Sequence, residues 1–116
     1  MTMALMVVTA ALQACSPMPA ASSASSLATA TADAKRSLAA ASSAIENRKF
    51  AEANSLLRDA LRKLGDGYLS PGTVDDSGMS LVLADSEQQK GREDIAANLR
   101  RNVLATRLAL LEQRKL

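Results

Sequence analysis

The chain has 116 residues, 14 of them Lys or Arg and 12 Asp or Glu, for a formal net charge of +2. It holds no His, no Trp, one Cys, one Tyr and one Phe. The length suits one small domain. The missing His removes the usual general base and the commonest metal ligand, a lone Cys builds neither an internal disulfide nor a zinc site, and so few aromatics give no stacking platforms for nucleic acid.

The charge is unevenly placed. Every charged residue lies at or after Asp33. Residues 1–15 form an apolar run of the length of a secretory core region, shorter than the roughly 20 residues of a membrane-spanning helix. The run ends in Leu12-Gln13-Ala14-Cys15. An aliphatic residue, a small residue and then Cys is the order in which this tetrapeptide resembles the lipobox of bacterial lipoproteins. That resemblance implies cleavage between Ala14 and Cys15, a diacylglyceryl group on the Cys15 thiol, and attachment to a membrane through acyl chains on Cys15. It also implies a cell-envelope location. Ser16, rather than Asp, after the Cys directs such proteins to the inner leaflet of the outer membrane, facing the periplasm. Gln13 is less usual at its place than Ala, Ser or Thr. No Lys or Arg precedes the apolar run, so a start codon further upstream is expected. Were the lipobox accidental, the chain would read as a cytoplasmic helix-bundle regulator.

Residues 16–32 are Ala, Ser, Thr or Pro at all but two positions. Such a segment buries too little apolar surface to offset the entropy of ordering. The organisation expected is therefore a signal peptide over 1–14, a lipidated Cys and flexible tether over 15–32, and a helical domain over 33–116.

Within the domain the apolar period is helical throughout. Leu27, Ala34, Leu38, Ala41 and Ile45 form one stripe at three-to-four spacing, in a helix that starts near Ser26 and ends near Asn47-Arg48. Phe50, Ala53, Leu57, Ala60, Leu61 and Leu64 form the face of a second helix, with Arg62 and Lys63 in its last turn and Gly65 to end it. A loop over 68–73 follows. Thr73 is the expected cap of a third helix, with Asp75 and Asp76 in its first turn and Met79, Val82, Leu83 and Ser86 on one face. Gly91 ends it. The fourth helix runs from Arg92 to about Gln113. It carries two apolar stripes, one through Ile95, Ala96, Leu99, Val103, Thr106 and Leu110 and one through Leu104, Leu108 and Leu111, wide enough to pack on both hairpins or to leave a strip for another protein. The fold expected is all-α: a small antiparallel bundle of about four helices in two hairpins.

The two hairpins are alike. Phe50, Ala53 and Ala60-Leu61 of the first resemble the turn and second helix of the tetratricopeptide repeat. In the second, Gly91, Ala96 and Val103-Leu104 fall at the matching places. The offset is 43 residues, Ala53 to Ala96, longer than the 34 of that family. Asn47-Arg48-Lys49 stands where the family has Gly, and Glu93 stands where it has an aromatic. The resemblance implies protein binding without naming a ligand.

The charges fall in three blocks: net +3 over residues 33–63, net −5 over 64–89 with no basic residue, and net +4 over 90–116. This predicts pairing of an acidic third helix with its basic neighbours. It also makes Arg100, Arg101, Arg107 and Arg114, with Lys115, a candidate partner surface for another protein, an anionic lipid or a cell-wall polymer. Asp75-Asp76 lacks a second positioned group for acid–base work. The function expected is a lipid-anchored, non-catalytic helical module that binds another envelope protein, with no cofactor, metal, nucleic acid or small-molecule substrate. The alternative is a structural envelope lipoprotein like the coiled-coil murein lipoproteins, which end in Lys, whereas here Leu116 follows Lys115.

Overall fold

A computed structural model of the chain describes the backbone of residues 22–114 and the side chains of 27–113. Four helices follow in order: α1 Ser22–Glu46, α2 Phe50–Leu64, α3 Pro71–Gln89 and α4 Glu93–Arg114. The bundle is all-α, as the apolar period predicts.

α1 begins earlier than the stripe alone suggests. It starts at Ser22, four residues before the start near Ser26 that the stripe suggests and inside the segment expected as a tether. Ala is the strongest helix former, and the segment has something to bury: Thr31 is 6% exposed and Ala34 1%. The Thr31 hydroxyl donates to the Leu27 carbonyl at 2.8 Å, which satisfies it inside the helix.

α1 and α2 are joined by Asn47-Arg48-Lys49, and α3 and α4 by Lys90-Gly91-Arg92. The two turns close on the same hydrogen bonds. In the first, Arg48 N–H donates to the Ile45 carbonyl at 3.0 Å and Lys49 N–H to Ala44 at 2.7 Å. In the second, Gly91 N–H donates to Gln88 at 3.0 Å and Arg92 N–H to Glu87 at 2.9 Å. Both are Schellman ends, and each needs a left-handed residue: Arg48 at φ 60° and Gly91 at φ 85°. Arg48, Lys49 and Phe50 are displaced by the same 43 residues from Gly91, Arg92 and Glu93 that separate Ala53 from Ala96.

The helix contacts are unequal. α1, α2 and α4 all touch one another, whereas α3 lies against α4 alone among the helices. The core is correspondingly three-helical. It gathers Ala34, Ala41 and Ala44 of α1, Ala53, Leu57, Ala60, Leu61 and Leu64 of α2, and Ala97, Val103, Leu104, Leu108 and Leu111 of α4. The α2 face is the one the sequence predicts, and the α4 stripe through Leu104, Leu108 and Leu111 is buried in this core. The first α4 stripe is only partly buried: Ala96 and Val103 are inside, while Ile95 is 42% exposed and Thr106 is exposed.

α3 departs from expectation at its start and on its face. Its cap is Ser70, not Thr73: the Ser70 hydroxyl oxygen accepts from Thr73 N–H at 3.4 Å, and Pro71 occupies the first helical position. Proline there has its φ preset and no N–H to leave unbonded. This places Asp75 and Asp76 beyond the first turn. The expected inner face points outward, with Met79 73%, Val82 69% and Leu83 49% exposed. The inner face is Ser77, Leu81, Ala84 and Gln88, of which Ala84 is fully buried.

The likeness of the two turns explains the inversion. Subtracting 43 from Ser77, Leu81, Ala84 and Gln88 gives Ala34, Leu38, Ala41 and Ile45, the packing stripe of α1. The hairpin turn fixes which side of the leading helix meets the following one, whatever the residues there. Met79, Val82 and Leu83 fall at the places of Arg36, Ala39 and Ala40, which are exposed on α1.

Candidate interaction surface

Two features stand out from the packing: a buried polar seam between α3 and α4, and the apolar outer face of α3.

The seam is built on two arginines of α4. Arg100 is 2% exposed and is among the largest fully buried side chains. It donates to the Asn54 side-chain oxygen at 2.7 Å, to Gln88 Oε1 at 2.5 Å and to Asp85 Oδ1 at 2.5 Å. Asn54, itself 1% exposed, uses its amide to donate to the Glu93 carbonyl at 3.0 Å. Arg100 thereby ties α4 to α2 on one side and to α3 on the other. It forms the floor of an open groove of about 500 Å³ between α2 and α3, whose walls include Ser55, Arg58, Leu61, Leu81 and Asp85. Arg107, 4% exposed, donates to the Ser77 hydroxyl at 2.9 Å, and its buried Nε has no hydrogen-bond partner.

This corrects the reading of the basic residues. Arg100 and Arg107 are inside the fold, so they do not form a partner surface. They lie on α4 at the places that Leu57 and Leu64 hold on α2, 43 residues earlier. A position that is apolar in the first hairpin is cationic in the second and is matched by polar residues across from it. Arg101 is half-buried and donates to Asn98 Oδ1 at 2.8 Å. The Arg114 side chain and Lys115 lie outside the described residues, as do Ala14 and Cys15.

The acidic block is divided. Asp85 pairs with Arg100, and Glu87 pairs with Arg92 at 2.6 Å and with Lys90 at 3.8 Å. Asp75 and Asp76 are exposed and lie on the same side of α3 as Met79, Val82 and Leu83. Among the described residues no ion pair reaches them. Asp59, on α2, is held by Lys63 and Arg62; the hydrogen bond from Lys63, foremost among these contacts, draws its carboxyl below the usual 3.8. Burial pushes the Tyr68 phenol above its usual 10.

Three residues of the seam escape a reading by residue type: Asn54, Asp85 and Gln88. The signal was present for Asn54 and Arg100, which interrupt apolar stripes at in-register places, beside Ala53–Leu57 and between Ala96 and Val103. A polar residue inside a stripe is one that needs a buried partner.

Among the described residues no three His, Cys, Asp or Glu side chains gather as a metal site, and no helix is long and apolar enough to cross a membrane. No family model, curated protein or solved structure matches the chain.

Proposed function

We propose that this chain is a lipid-anchored protein of the cell envelope whose helical domain is a non-catalytic protein–protein interaction module, docking through the outer face of α3. The observation that carries the docking surface is the outward row of Met79, Val82 and Leu83. A small domain gains by burying such residues, about 25 cal/mol for each Å² of apolar surface removed from water. Here the hairpin geometry holds them out and packs Ser77, Ala84 and Gln88 inside. Exposed apolar rows rimmed by polar residues are the usual mark of a protein partner, and Met adapts readily to a partner's shape.

The lipid anchor rests on the lipobox at Leu12 to Cys15. Several acyl chains at about 0.8 kcal/mol per buried CH₂ make such attachment effectively permanent. The tetratricopeptide-like reading of the hairpins is in keeping with Ala53 and Ala96, the small residues at its matching places, both of which are fully buried.

A photo-crosslinking residue placed at Val82 in the full chain tests the module. Adducts with an envelope protein are expected from Val82 and not from Ser43 on the outer side of α1; equal yields at both would sink the reading. Labelling cells with a palmitate analogue tests the anchor. The wild-type chain should carry the label and Cys15→Ala should not.

A further inference from the structure

Resting on the reading of α3's outer face as the docking surface, we infer that its occupant is a second copy of this chain, with the two α3 helices crossing antiparallel about Leu83. The face has the spacing of a helix-pairing seam, with its apolar residues, Met79 and Val82, in the middle. Asp75, Met79, Val82, Ser86 and Gln89 are spaced four, three, four and three residues apart, which is the alternation of the two seam positions of a heptad. Asp76, Leu83 and Lys90 flank that seam at intervals of seven, so they keep to one edge of the helix. Among the described residues α3 meets no helix other than α4, so a partner helix has room to approach this side.

Charge selects the partner and its direction. The face is acidic at one end, through Asp75 and Asp76, apolar in the middle, and basic at the other end, where Lys90 is 56% exposed. Lys90 is only loosely held by Glu87, at 3.8 Å, since Arg92 takes that carboxylate at 2.6 Å. A parallel pair would stack Asp75 and Asp76 on their own copies. An antiparallel pair centred on Leu83 sets Asp76 of each copy opposite Lys90 of the other, because both lie seven residues from the centre. The face carries its own complement, as an isologous two-fold contact demands.

The geometry gives a cross-linking signature. At 1.5 Å per residue, Leu83 meets its own copy and Val82 lies about 3 Å out of step with its copy. Met79 lies about 12 Å from its own copy and about 1.5 Å out of step with Ser86 of the other. The experiment is oxidative cross-linking of the full chain in its own membranes, with single cysteines introduced at Met79, Val82, Leu83 and Ser86; the unsubstituted chain, with Cys15 alone, sets the background. Leu83→Cys and Val82→Cys should each give covalent dimers. Met79→Cys should not do so alone, but should when co-expressed with Ser86→Cys. Asp76→Lys should lower the Leu83→Cys dimer about threefold, and adding Lys90→Asp should restore it. Circular dichroism of each variant keeps loss of folding from passing as loss of pairing. No dimer at either Val82 or Leu83, or a Met79→Cys dimer as abundant as that of Leu83→Cys, overturns the inference. Photo-adducts at Val82 with a different protein and none with a second copy would overturn the pairing and leave the docking surface standing. Absence of any Val82 adduct would remove both.

Discussion

Arg100 and Arg107 are the same residue type on the same side of the same helix, yet their burial has opposite consequences. Arg100 meets a carboxylate and two side-chain amides. Arg107 has the Ser77 hydroxyl and leaves its Nε unbonded. Removing one partner of a satisfied buried charge is costly, whereas replacing a poorly satisfied one with an apolar residue is often neutral or favourable. Arg100→Ala is expected to destabilise the domain by about 2–3 kcal/mol, more than Asp85→Ala, since the Asp85 side chain is 65% exposed. The pair Arg107→Leu with Ser77→Ala, which restores the residue classes of Leu64 and Ala34 in the first hairpin, should leave stability unchanged or raise it. Urea unfolding of the three variants would rank them, and a larger loss in the Arg107 pair than in Arg100→Ala would contradict this account. Tyr68 offers a second readout at the same scale, because it is the chain's one tyrosine. Its folded pKa lies above 10. The stabilising difference is therefore fully present below pH 10 and is lost as pH rises through the folded value. Absorbance near 295 nm should show the phenol titrating above pH 10 in buffer and near 10 in urea.

At the scale of the element, α3 has the weakest support, since one helix backs it where the others have two or three. Local opening free energies follow such support. Amide hydrogen exchange is expected to be fastest in α3, slowest in α2 and the middle of α4, and slower in α3 of a paired molecule than of a dissociated one. The turns give a sharper case. Arg48 adopts a left-handed conformation, φ 60°, that Gly91 fills without cost in the equivalent turn. Arg48→Gly should stabilise the first turn by about 0.5 kcal/mol, the relief of a non-glycine left-handed residue being partly offset by loss of the guanidinium that stands 6.0 Å from the Phe50 ring centre. A thermal melt would detect the rise. Helix number, the end of α2 at Gly65 and the apolar face of α2 could all be read from the sequence, because there period, cap and volume agree. The face of α3 could not. Its largest apolar residues lie on one side, and a reading by hydrophobicity follows them. The side that packs is set by the turn at Lys90-Gly91-Arg92, whose geometry is a relation between two helices and has no trace in the period of either alone. The start of α3 differs for a similar reason: Thr73 with Asp76 fits a capping pattern, but Pro71 fixes the first helical residue three positions before the one that cap implies.

For the whole molecule, the arithmetic of composition hides an arrangement. The small net charge is the remainder of opposed blocks, and part of the acidic block is paired within the chain, by Arg100 and by Arg92 with Lys90. Surface pairs such as Lys35 with Glu112, which links α1 to the end of α4 at 3.2 Å, contribute at most about 1 kcal/mol each and fade with salt. The domain's stability should accordingly change little between low and moderate salt, while pairing of two copies through Asp76 and Lys90 should weaken. Sedimentation at two salt concentrations, beside urea melts at the same two, would separate the effects. The twin hairpins also bear on how such a chain can change over generations. One hairpin closes on Leu57 and Leu64, the other on Arg100 and Arg107, with Ile45 and Ala34 answering the first pair and Gln88 and Ser77 the second. Replacing Arg100 alone leaves the buried Asn54 oxygen without its donor, and an apolar residue at 88 alone takes away one of the three acceptors of a buried charge. The dry seam and the wet one are thus separated by an unstable intermediate, and position 100 can be exchanged only together with its neighbours. Sequences descended from a common hairpin should therefore carry either set whole, with mixtures of the two rare.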